Sequence, residues 1–167
     1  MLDCYDMVEF ECGDEELNDF ITNDALDYHR SLLSESYLLK EEGHLLAYVT
    51  ILNDCLGIDS FDDKTSFNRF RRKYFVNTKR LRSYPAIKIG RLAVQQELSG
   101  RGYGSLLLDF VKLLTSLKRF AGCRFLTVDA YNPAVPFYEK NGFVVISSRE
   151  NDSETTLMYY DLLTLKP

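Results

Sequence analysis

The first part of the chain carries apolar residues at the spacing of one helix face. They follow Asp14, and an aspartate side chain can cap the first free amides of a helix. The pattern predicts a helix from about Asp14 to about Ser31. Its apolar positions are Leu17, Phe20, Ile21, Ala25 and Tyr28.

Two apolar runs rich in β-forming residues come next, at Ser36–Lys40 and His44–Leu52. The turn-prone residues Glu41, Glu42 and Gly43 separate them. The two runs are therefore predicted to form an antiparallel hairpin.

From residue 53 onward the pattern alternates between helical and strand periods. The connection Asn53–Pro85 is long and its aromatic residues recur at helical spacing, so it is predicted to contain a helix. This order of elements predicts a mixed α/β fold. The remaining predicted elements are a strand at Ala86–Val94, a helix from Gly104 to near Gly122, a strand at Cys123–Asp129, a short helix at Asn132–Lys140, and strands at Phe143–Ser147 and Thr155–Leu162.

Length and composition favour one folded domain over residues 1–167, because the chain is 46% hydrophobic. The chain shows no signal-peptide pattern and no apolar run near the roughly 20 residues of a membrane span, so we expect a cytoplasmic protein. The four cysteines are scattered and the two histidines are isolated. Neither a metal site nor a disulfide framework is predicted.

The charges are distributed unevenly. The net charge is -5, yet the segment Lys64–Arg91 contains ten Lys or Arg residues and no Asp or Glu. A solvated helix face is one interpretation of this basic segment, and a site for an anionic substrate or partner is the other.

Three glycines lie within five residues of the segment Leu98–Gly104, between a predicted strand and a predicted helix. Glycine lets the backbone approach an anion closely, and the free amides at a helix N-terminus attract the anion. The segment predicts a pyrophosphate site, with a tight turn that binds no ligand as the alternative. Its spacing, G-x-G-x-G, differs from the G-x-G-x-x-G of the dinucleotide fingerprint.

Two motifs resemble those of the GNAT superfamily of N-acetyltransferases. Ile89–Val94 followed by Gly102-Tyr103-Gly104 is similar to the coenzyme A loop of the family. Asn132 after the next strand, followed by the F-Y-x-x-x-G-F pattern of Phe137–Phe143, is similar to the second family motif. The order of elements also resembles the family over essentially the whole chain.

The resemblance implies a mostly antiparallel central sheet flanked by helices, with a helical insertion between the N-terminal hairpin and the cofactor-binding strand. It implies acetyl-CoA as the co-substrate and no metal. Ser99 stands where the family prefers Gln or Arg, so one side-chain contact to phosphate is missing, and Arg101 is available to supply charge. The residues implied to bind the cofactor are Leu92, Ala93, Val94, Ser99, Gly100, Arg101, Gly102, Tyr103, Gly104, Ser105 and Asn132.

The family reaction is a direct transfer of the acetyl group to an amine. By resemblance, the amides of Leu92 and Val94 hold the acetyl carbonyl and the pantetheine, Asn132 bonds the pantetheine arm, and Tyr138 protonates the departing thiolate. A packing role is the alternative for Tyr138. The general base stays open among a water chain, no base at all, Asp129, Glu139 and His44.

The acceptor amine is also open. The first hypothesis is that the acceptor is the primary amine of a small molecule, peptide or protein. Glu9–Phe20 and Gly90–Val94 resemble the subgroup that includes toxins of toxin–antitoxin pairs, which implies aminoacyl-tRNA as the alternative, contacted by the basic segment from Arg69 to Arg82. The third hypothesis is that the chain is a non-catalytic module that binds acetyl-CoA. A second copy of the chain is a further partner to test, and a membrane is not expected.

Overall fold

The computed structural model describes residues 10–75, 81–117, 121–147 and 154–165. The residues group into two compact units, Met1–Asn53 with Ile89–Leu114 and Asp54–Lys88 with Thr115–Pro167. No helix of the described part of the chain is long and apolar enough to cross a membrane.

Five α-helices and six strands make up the described fold. The helices are α1 (Glu15–Asp19), α2 (Ala25–Arg30), α3 (Lys64–Tyr74), α4 (Tyr103–Leu117) and α5 (Val135–Lys140). The strands are β1 (Glu35–Glu41), β2 (His44–Gly57), β3 (Ser83–Val94), β4 (Phe125–Tyr131), β5 (Val144–Ser147) and β6 (Thr155–Asp161).

The strands form one sheet in the order β1-β2-β3-β4-β6-β5. β1 with β2, β4 with β6 and β5 with β6 pair antiparallel, whereas β3 and β4 pair parallel through Ala86–Lys88 and Phe125–Thr127. The predicted mixed α/β fold with a mostly antiparallel sheet and an inserted helix is confirmed. β3 begins two residues before Pro85, which the sheet tolerates because the pairing with β4 begins only at Ala86.

The N-terminal helical segment of the first unit is interrupted by a π-helical turn. Asp14 caps α1 by accepting the Leu17 amide at 3.3 Å, as its position predicted. Between α1 and α2, the residues Phe20–Asp24 form a π-helix, in which the Ala25 amide bonds the Phe20 carbonyl. The single helix expected here is therefore present in three pieces.

The core of the first unit joins this helical segment to the hairpin. β1 and β2 meet at Glu42 and Gly43, whose φ angles of 50° and 87° are those of a type I′ hairpin turn. The Tyr48 hydroxyl donates to the Leu17 carbonyl at 2.7 Å. The buried residues of this core are Phe10, Phe20, Ile21, Ala25, Leu45, Tyr48 and Ala93.

The core of the second unit is mostly aromatic. Phe70 of α3 lies 5.3 Å from Phe125 and 5.4 Å from Tyr159, measured between ring centroids. The periodic aromatic residues of the long connection thus anchor α3 in this core. Its buried members are Leu56, Phe61, Phe67, Phe70, Tyr84, Ala86, Phe125 and Tyr159.

Candidate active site

The glycine loop lies in the first unit between β3 and α4. A short 3-10 turn at Gln96–Leu98 leaves β3, and the Arg101 amide then bonds the Leu98 carbonyl at 3.2 Å. Gly100 and Gly102 have φ angles of +74° and +92°, in the left-handed region where glycine has no steric penalty. A Cβ added at either position would meet nothing within 4 Å, so the space beside the loop is open.

The loop ends at the N-terminus of a fifteen-residue helix. The Gly102 carbonyl accepts the Leu106 amide at 3.0 Å, which places Gly102 at the start of α4. The amides of Tyr103, Gly104 and Ser105 therefore belong to the first turn, whose amides have no internal partner in an α-helix. Open glycine backbone and first-turn amides are features that favour anion binding, and the pyrophosphate site at this loop stays a prediction.

The end of β3 presents alternating side chains. Ala93 is buried in the core of the first unit, while Leu92 and Val94 are half-buried. Ser99 and Arg101 are exposed. Ala93 packs in the core of the first unit. The backbone N–H and C=O groups of Leu92 and Val94 do not depend on the identity of the side chains at these positions.

A contact that the sequence did not indicate holds the loop entrance in place. The Glu11 amide donates to the Gln95 side chain at 3.0 Å, and the Gln96 amide donates to the Glu11 carbonyl at 2.8 Å. The Gln95 amide bonds the Leu46 carbonyl at 2.8 Å. Glutamines at surface positions are too common to reveal such a role from one sequence.

The contacts of Arg91 were also not predicted from the sequence. Its guanidinium lies 3.7 Å from the Phe20 ring centroid, and its Nη2 lies 2.8 Å from a Glu16 carboxylate oxygen. A cation over an aromatic face combined with an ion pair ties β3 to the N-terminal helical segment. Glu16 and Phe20 belong to one of the two sequence segments that resembled the toxin subgroup and Arg91 belongs to the other, so these three residues connect the segments.

Tyr138 lies in the second unit on α5. The residue is 7% exposed, and its ring packs edge-on against Phe137 and Phe143, with centroid distances of 5.1 and 5.4 Å. Burial raises the pKa of Tyr138 to about 12. The phenol therefore stays protonated at neutral pH and can donate a hydrogen bond.

The turn after α5 fixes this tyrosine. The Phe143 amide donates to the Tyr138 carbonyl at 3.0 Å, which closes the helix. Gly142 has a φ of +84°, and a Cβ there would lie 3.1 Å from the Tyr160 ring, so the motif requires glycine for both conformation and space.

Asn132 lies in the second unit at the start of the 3-10 turn before α5. The Thr156 hydroxyl donates to the Asn132 Oδ1 at 2.9 Å, and the backbone N–H of Asn132 donates to the Glu154 carbonyl at 3.0 Å. The residue is exposed. β6 therefore sets the orientation of the Asn132 side chain.

The side chains that were suggested as the general base have different surroundings in the structure. Asp129 forms a short ion pair with Lys88. Glu139 and His44 are exposed. Among the described residues, no group of three or more His, Cys, Asp or Glu side chains is placed to hold a metal ion.

The basic segment is partly on α3. Arg69, Arg72, Lys73 and Arg82 are exposed. Arg71 instead turns toward the protein, where its Nη1 donates to the Leu81 carbonyl at 3.4 Å and its Nε is buried without a partner in the described residues. Arg71 therefore does not belong to the exposed basic surface that we predicted. Lys79 and Arg80 lie outside the described residues.

The predicted site residues fall into two groups. Leu92, Ala93, Val94 and the loop Ser99–Ser105 are contiguous in the first unit, and Asn132 and Tyr138 lie six residues apart in the second. The part that each group takes in acetyl transfer stays a prediction.

Comparison with known proteins identifies the family. The family profile "Acetyltransferase (GNAT) domain" matches residues 35–145. No curated protein sequence matches the chain at a significant level.

Three solved structures illustrate the similarity over nearly the whole chain. AtaT complexed with acetyl-methionyl-tRNAfMet is 25% identical, covering 98% of this chain and 92% of that one, with a TM-score of 0.77. A tyrosine-to-phenylalanine mutant of KacT is 25% identical over 96% of this chain and 90% of that one, with a TM-score of 0.76. AtaTR bound with AcCoA is 24% identical over 96% and 88%, with a TM-score of 0.73. The chain belongs to the GNAT superfamily and is an acetyl-CoA-dependent N-acetyltransferase.

Proposed function

We propose that the enzyme acetylates the amino group of an aminoacyl-tRNA. The observation that carries the proposal is the exposed basic surface of the second unit, which consists of Arg69, Arg72, Lys73 and Arg82. The rest of the protein is acidic enough to give a net charge of -5, so a polyanion is attracted only where the positive charges are concentrated.

The geometry of α3 supports a phosphate-binding role. Arg69, Arg72 and Lys73 are spaced three and four residues apart, so they share one face of the helix. Aromatic side chains hold the helix in place from the opposite face, where Phe67 and Phe70 are buried. A rigid row of cations is suited to a nucleic-acid backbone, which is recognised first through its phosphates.

The similarity to AtaT favours this acceptor over a free metabolite amine. That relative was solved with an acetylated methionyl-tRNA, and the chain matches it over 98% of its length. An aminoacyl-tRNA acceptor also places the proposed reaction in the cytoplasm.

In this proposal, different residues of the chain bind different parts of acetyl-CoA. The glycine loop and the first turn of α4 hold the pyrophosphate, and the amides of Leu92 and Val94 hold the acetyl carbonyl. When bound, acetyl-CoA supplies the thioester whose acyl carbon the neutral amine attacks. Asn132, oriented by Thr156, bonds the pantetheine arm.

Tyr138 acts on the sulfur in this proposal. Its pKa of about 12 lies above the ordinary thiol value of about 8.5, so complete loss of its proton to a thiolate is unfavourable. We therefore assign it the role of a hydrogen-bond donor that stabilises the departing sulfur. As the C–N bond forms and the C–S bond breaks, the amine releases one proton, which passes through water to the departing thiolate and leaves coenzyme A as the thiol.

The acceptor is tested by incubating the enzyme with radiolabelled acetyl-CoA and a panel of aminoacyl-tRNAs, free amino acids and peptides. The expected result is label on the aminoacyl group of charged tRNA, released together with the amino acid by mild base. Uncharged tRNA is the control. Label that appears only on free amines or peptides contradicts the tRNA proposal and leaves the acetyltransferase assignment intact.

The surface is tested by replacing Arg69, Arg72 and Lys73 with Ala. Affinity for tRNA should fall roughly tenfold or more at low salt, and the slope of log K against log salt should decrease by about 2 to 3. The matched control exchanges Arg and Lys at the same positions, which retains the charges. The thermal shift with acetyl-CoA should be unchanged in both variants, and unaltered tRNA binding by the Ala variant would exclude this surface.

A cellular test follows from the same proposal. Acetylated aminoacyl-tRNA is lost to elongation, so expression in bacteria should slow growth, and Tyr138→Phe should relieve the defect. If the enzyme is active and binds tRNA in vitro but its expression does not slow growth, aminoacyl-tRNA is not its acceptor in the cell.

A further inference from the structure

A cavity of about 480 Å³ lies within the second unit, at the edge of the sheet where β3 and β4 begin. The two strands pair parallel from Ala86 and Phe125 onward, so the residues that precede these two lie at the same edge. The volume falls within the roughly 300 to 1,000 Å³ of small-molecule sites. The lining residues include Phe75, Leu81, Tyr84, Pro85, Cys123 and Arg124.

The walls of the cavity offer no unpaired charge. The Phe75 and Tyr84 rings are stacked, with 4.1 Å between their centroids and 6° between their planes. Of the described residues that line the cavity, only Arg124 is charged, and its guanidinium donates to both carboxylate oxygens of Asp161, at 3.0 and 2.8 Å. The part of a ligand that enters the cavity is therefore uncharged, because a buried charge needs a partner.

The hydroxyl of Tyr84 is a buried polar group without a hydrogen bond. Tyr84 is 3% exposed, and its hydroxyl oxygen has no partner in the described part of the chain. In the same aromatic core, the hydroxyls of Tyr74 and Tyr159 are bonded to each other at 2.7 Å. A buried hydroxyl that lacks a partner lowers stability. A ligand with a hydrogen-bonding edge inside the cavity would remove this cost.

Exposed cations lie beside the cavity. Lys73 is two residues before Phe75, and Arg82 follows Leu81 directly. Consecutive Cα atoms are about 3.8 Å apart, so the backbone of each cation lies within about 8 Å of a residue that lines the cavity. Both cations belong to the exposed basic surface to which we assigned the tRNA phosphates. The surroundings thus suit a ligand that is uncharged and flat in one part and anionic in the next.

We propose that the cavity holds one unpaired nucleobase of an RNA strand whose phosphates contact the basic surface. A nucleobase is flat and uncharged, and its edge carries donors and acceptors that can bond the Tyr84 hydroxyl. Proteins that read RNA commonly pack such unpaired bases against aromatic side chains. An acyl chain with an anionic head group would leave the hydroxyl unpaired. The RNA is taken to be the tRNA of the proposed function, on which this assignment rests.

A short single-stranded RNA that carries 2-aminopurine at its centre tests the cavity. The wild type should bind this RNA and quench its fluorescence, because the base leaves water and packs against rings. The same RNA annealed to its complement is the control, because it has no unpaired base.

Filling the cavity should weaken RNA binding. Gly122 also lines the cavity, and a Cβ added there would meet no atom of the described residues within 4 Å. Gly122→Trp should lower the affinity roughly 5- to 150-fold, which is the contribution of one stacked base, and abolish the quenching. Gly122→Ala is the matched control and should bind as the wild type does. Retention of the acetyl-CoA thermal shift shows that both variants are folded.

Tyr84→Phe separates hydrogen bonding from packing, because it keeps the ring and removes the hydroxyl. Affinity for the RNA should fall roughly threefold to tenfold, while the melting temperature of the free protein should not fall, since no bond is lost within the chain. Tyr74→Phe is the control. It removes a bonded hydroxyl of the same core, so it should lower the melting temperature and leave RNA affinity unchanged.

Unquenched fluorescence with the wild type, or unaltered RNA affinity in folded Gly122→Trp, overturns the proposal. Adenosine monophosphate that binds as tightly as the RNA would assign the cavity to free nucleotides instead, and displacement of the RNA by lauric acid alone would assign it to acyl chains. Quenching without acetyl transfer to charged tRNA would reject the proposed acceptor and support the nucleobase site. Acetyl transfer to charged tRNA without quenching would reject the nucleobase site and leave the acceptor in place.

Discussion

The glycine loop and the Tyr138 motif differ in the groups that they contribute to the reaction that we propose. The loop is exposed and offers backbone amides, so what matters is the conformation of Gly100 and Gly102 and the absence of side chains there. Tyr138 is buried and offers one hydroxyl, whose position depends on the rings of Phe137 and Phe143. A backbone site is vulnerable to added atoms, and a packed side chain is vulnerable to the removal of a single atom.

The largest effect is expected from Gly102→Glu. The new side chain and its negative charge would occupy the open space beside the loop, so the acetyl-CoA thermal shift and activity should be lost. Gly43→Glu is the control, because Gly43 has a similar φ of +87° and equally open surroundings. Both variants should lose about 1 kcal/mol of stability from backbone strain.

Binding and melting measurements on these two variants separate strain from site chemistry. Gly43→Glu should melt at a temperature lowered by about 2 to 4 °C and retain cofactor binding. Equal cofactor affinity in the two variants would show that the loop does not hold the pyrophosphate.

A smaller effect, confined to turnover, is expected from Tyr138→Phe. It should reduce kcat roughly 100- to 1,000-fold while changing acetyl-CoA affinity by less than about twofold, since in our proposal the hydroxyl donates a hydrogen bond to the departing sulfur. Tyr74→Phe is the control, because it removes the 2.7 Å bond between the hydroxyls of Tyr74 and Tyr159 in the aromatic core. That variant should lose about 1 kcal/mol of stability and keep its kcat. A parallel loss of affinity and turnover would assign Tyr138 to binding or packing.

The pH dependence gives a third test of the buried hydroxyl. Burial raises the pKa of Tyr138 from its ordinary value near 10 to about 12, so kcat should show no descending limb from this group below about pH 11. Stability should fall between about pH 10 and 12, because the unfolded chain releases the proton first. A limb near pH 8 to 9 that disappears in Tyr138→Phe would show that the hydroxyl ionises far more easily than its burial indicates.

The smallest effect is expected from Thr156→Val, which removes the bond that orients Asn132. The KM for acetyl-CoA should rise only a few fold, corresponding to about 1 kcal/mol. Asn132→Ala should have an equal or larger effect, and the double variant should be no worse than Asn132→Ala alone. Additive losses would show that Thr156 acts independently of Asn132.

Local patterns predicted the loop, the hairpin and the Tyr138 motif because each depends on residues close together in sequence. Gly102 and Gly142 have positive φ angles, which glycine adopts without steric penalty. The order of strands and helices was also predicted, since apolar periodicity and turn residues specify it.

Contacts between distant residues could not be predicted in the same way. The bonds of Glu11 with Gln95 and Gln96 join positions more than eighty residues apart. Arg71 lies in a run of cations, and only the packing of α3 on an aromatic core decides that it turns inward while Arg72 stays exposed. One sequence records the charge of a residue, but the fold decides the direction in which it points.

The π-helical turn at Phe20–Asp24 has a consequence for insertions and deletions. Its wide turn, closed by the Ala25 amide on the Phe20 carbonyl, holds one residue more than an α-helical turn of the same rise. Deleting one residue there would convert the wide turn into a regular α-helical turn and leave the residues after it close to their present direction. Ala25 would therefore stay buried in the core. A deletion within the regular turns of α1 or α2 would instead rotate the residues after it by about 100°, so the π turn is the place where this helical segment can lose one residue and keep its packing.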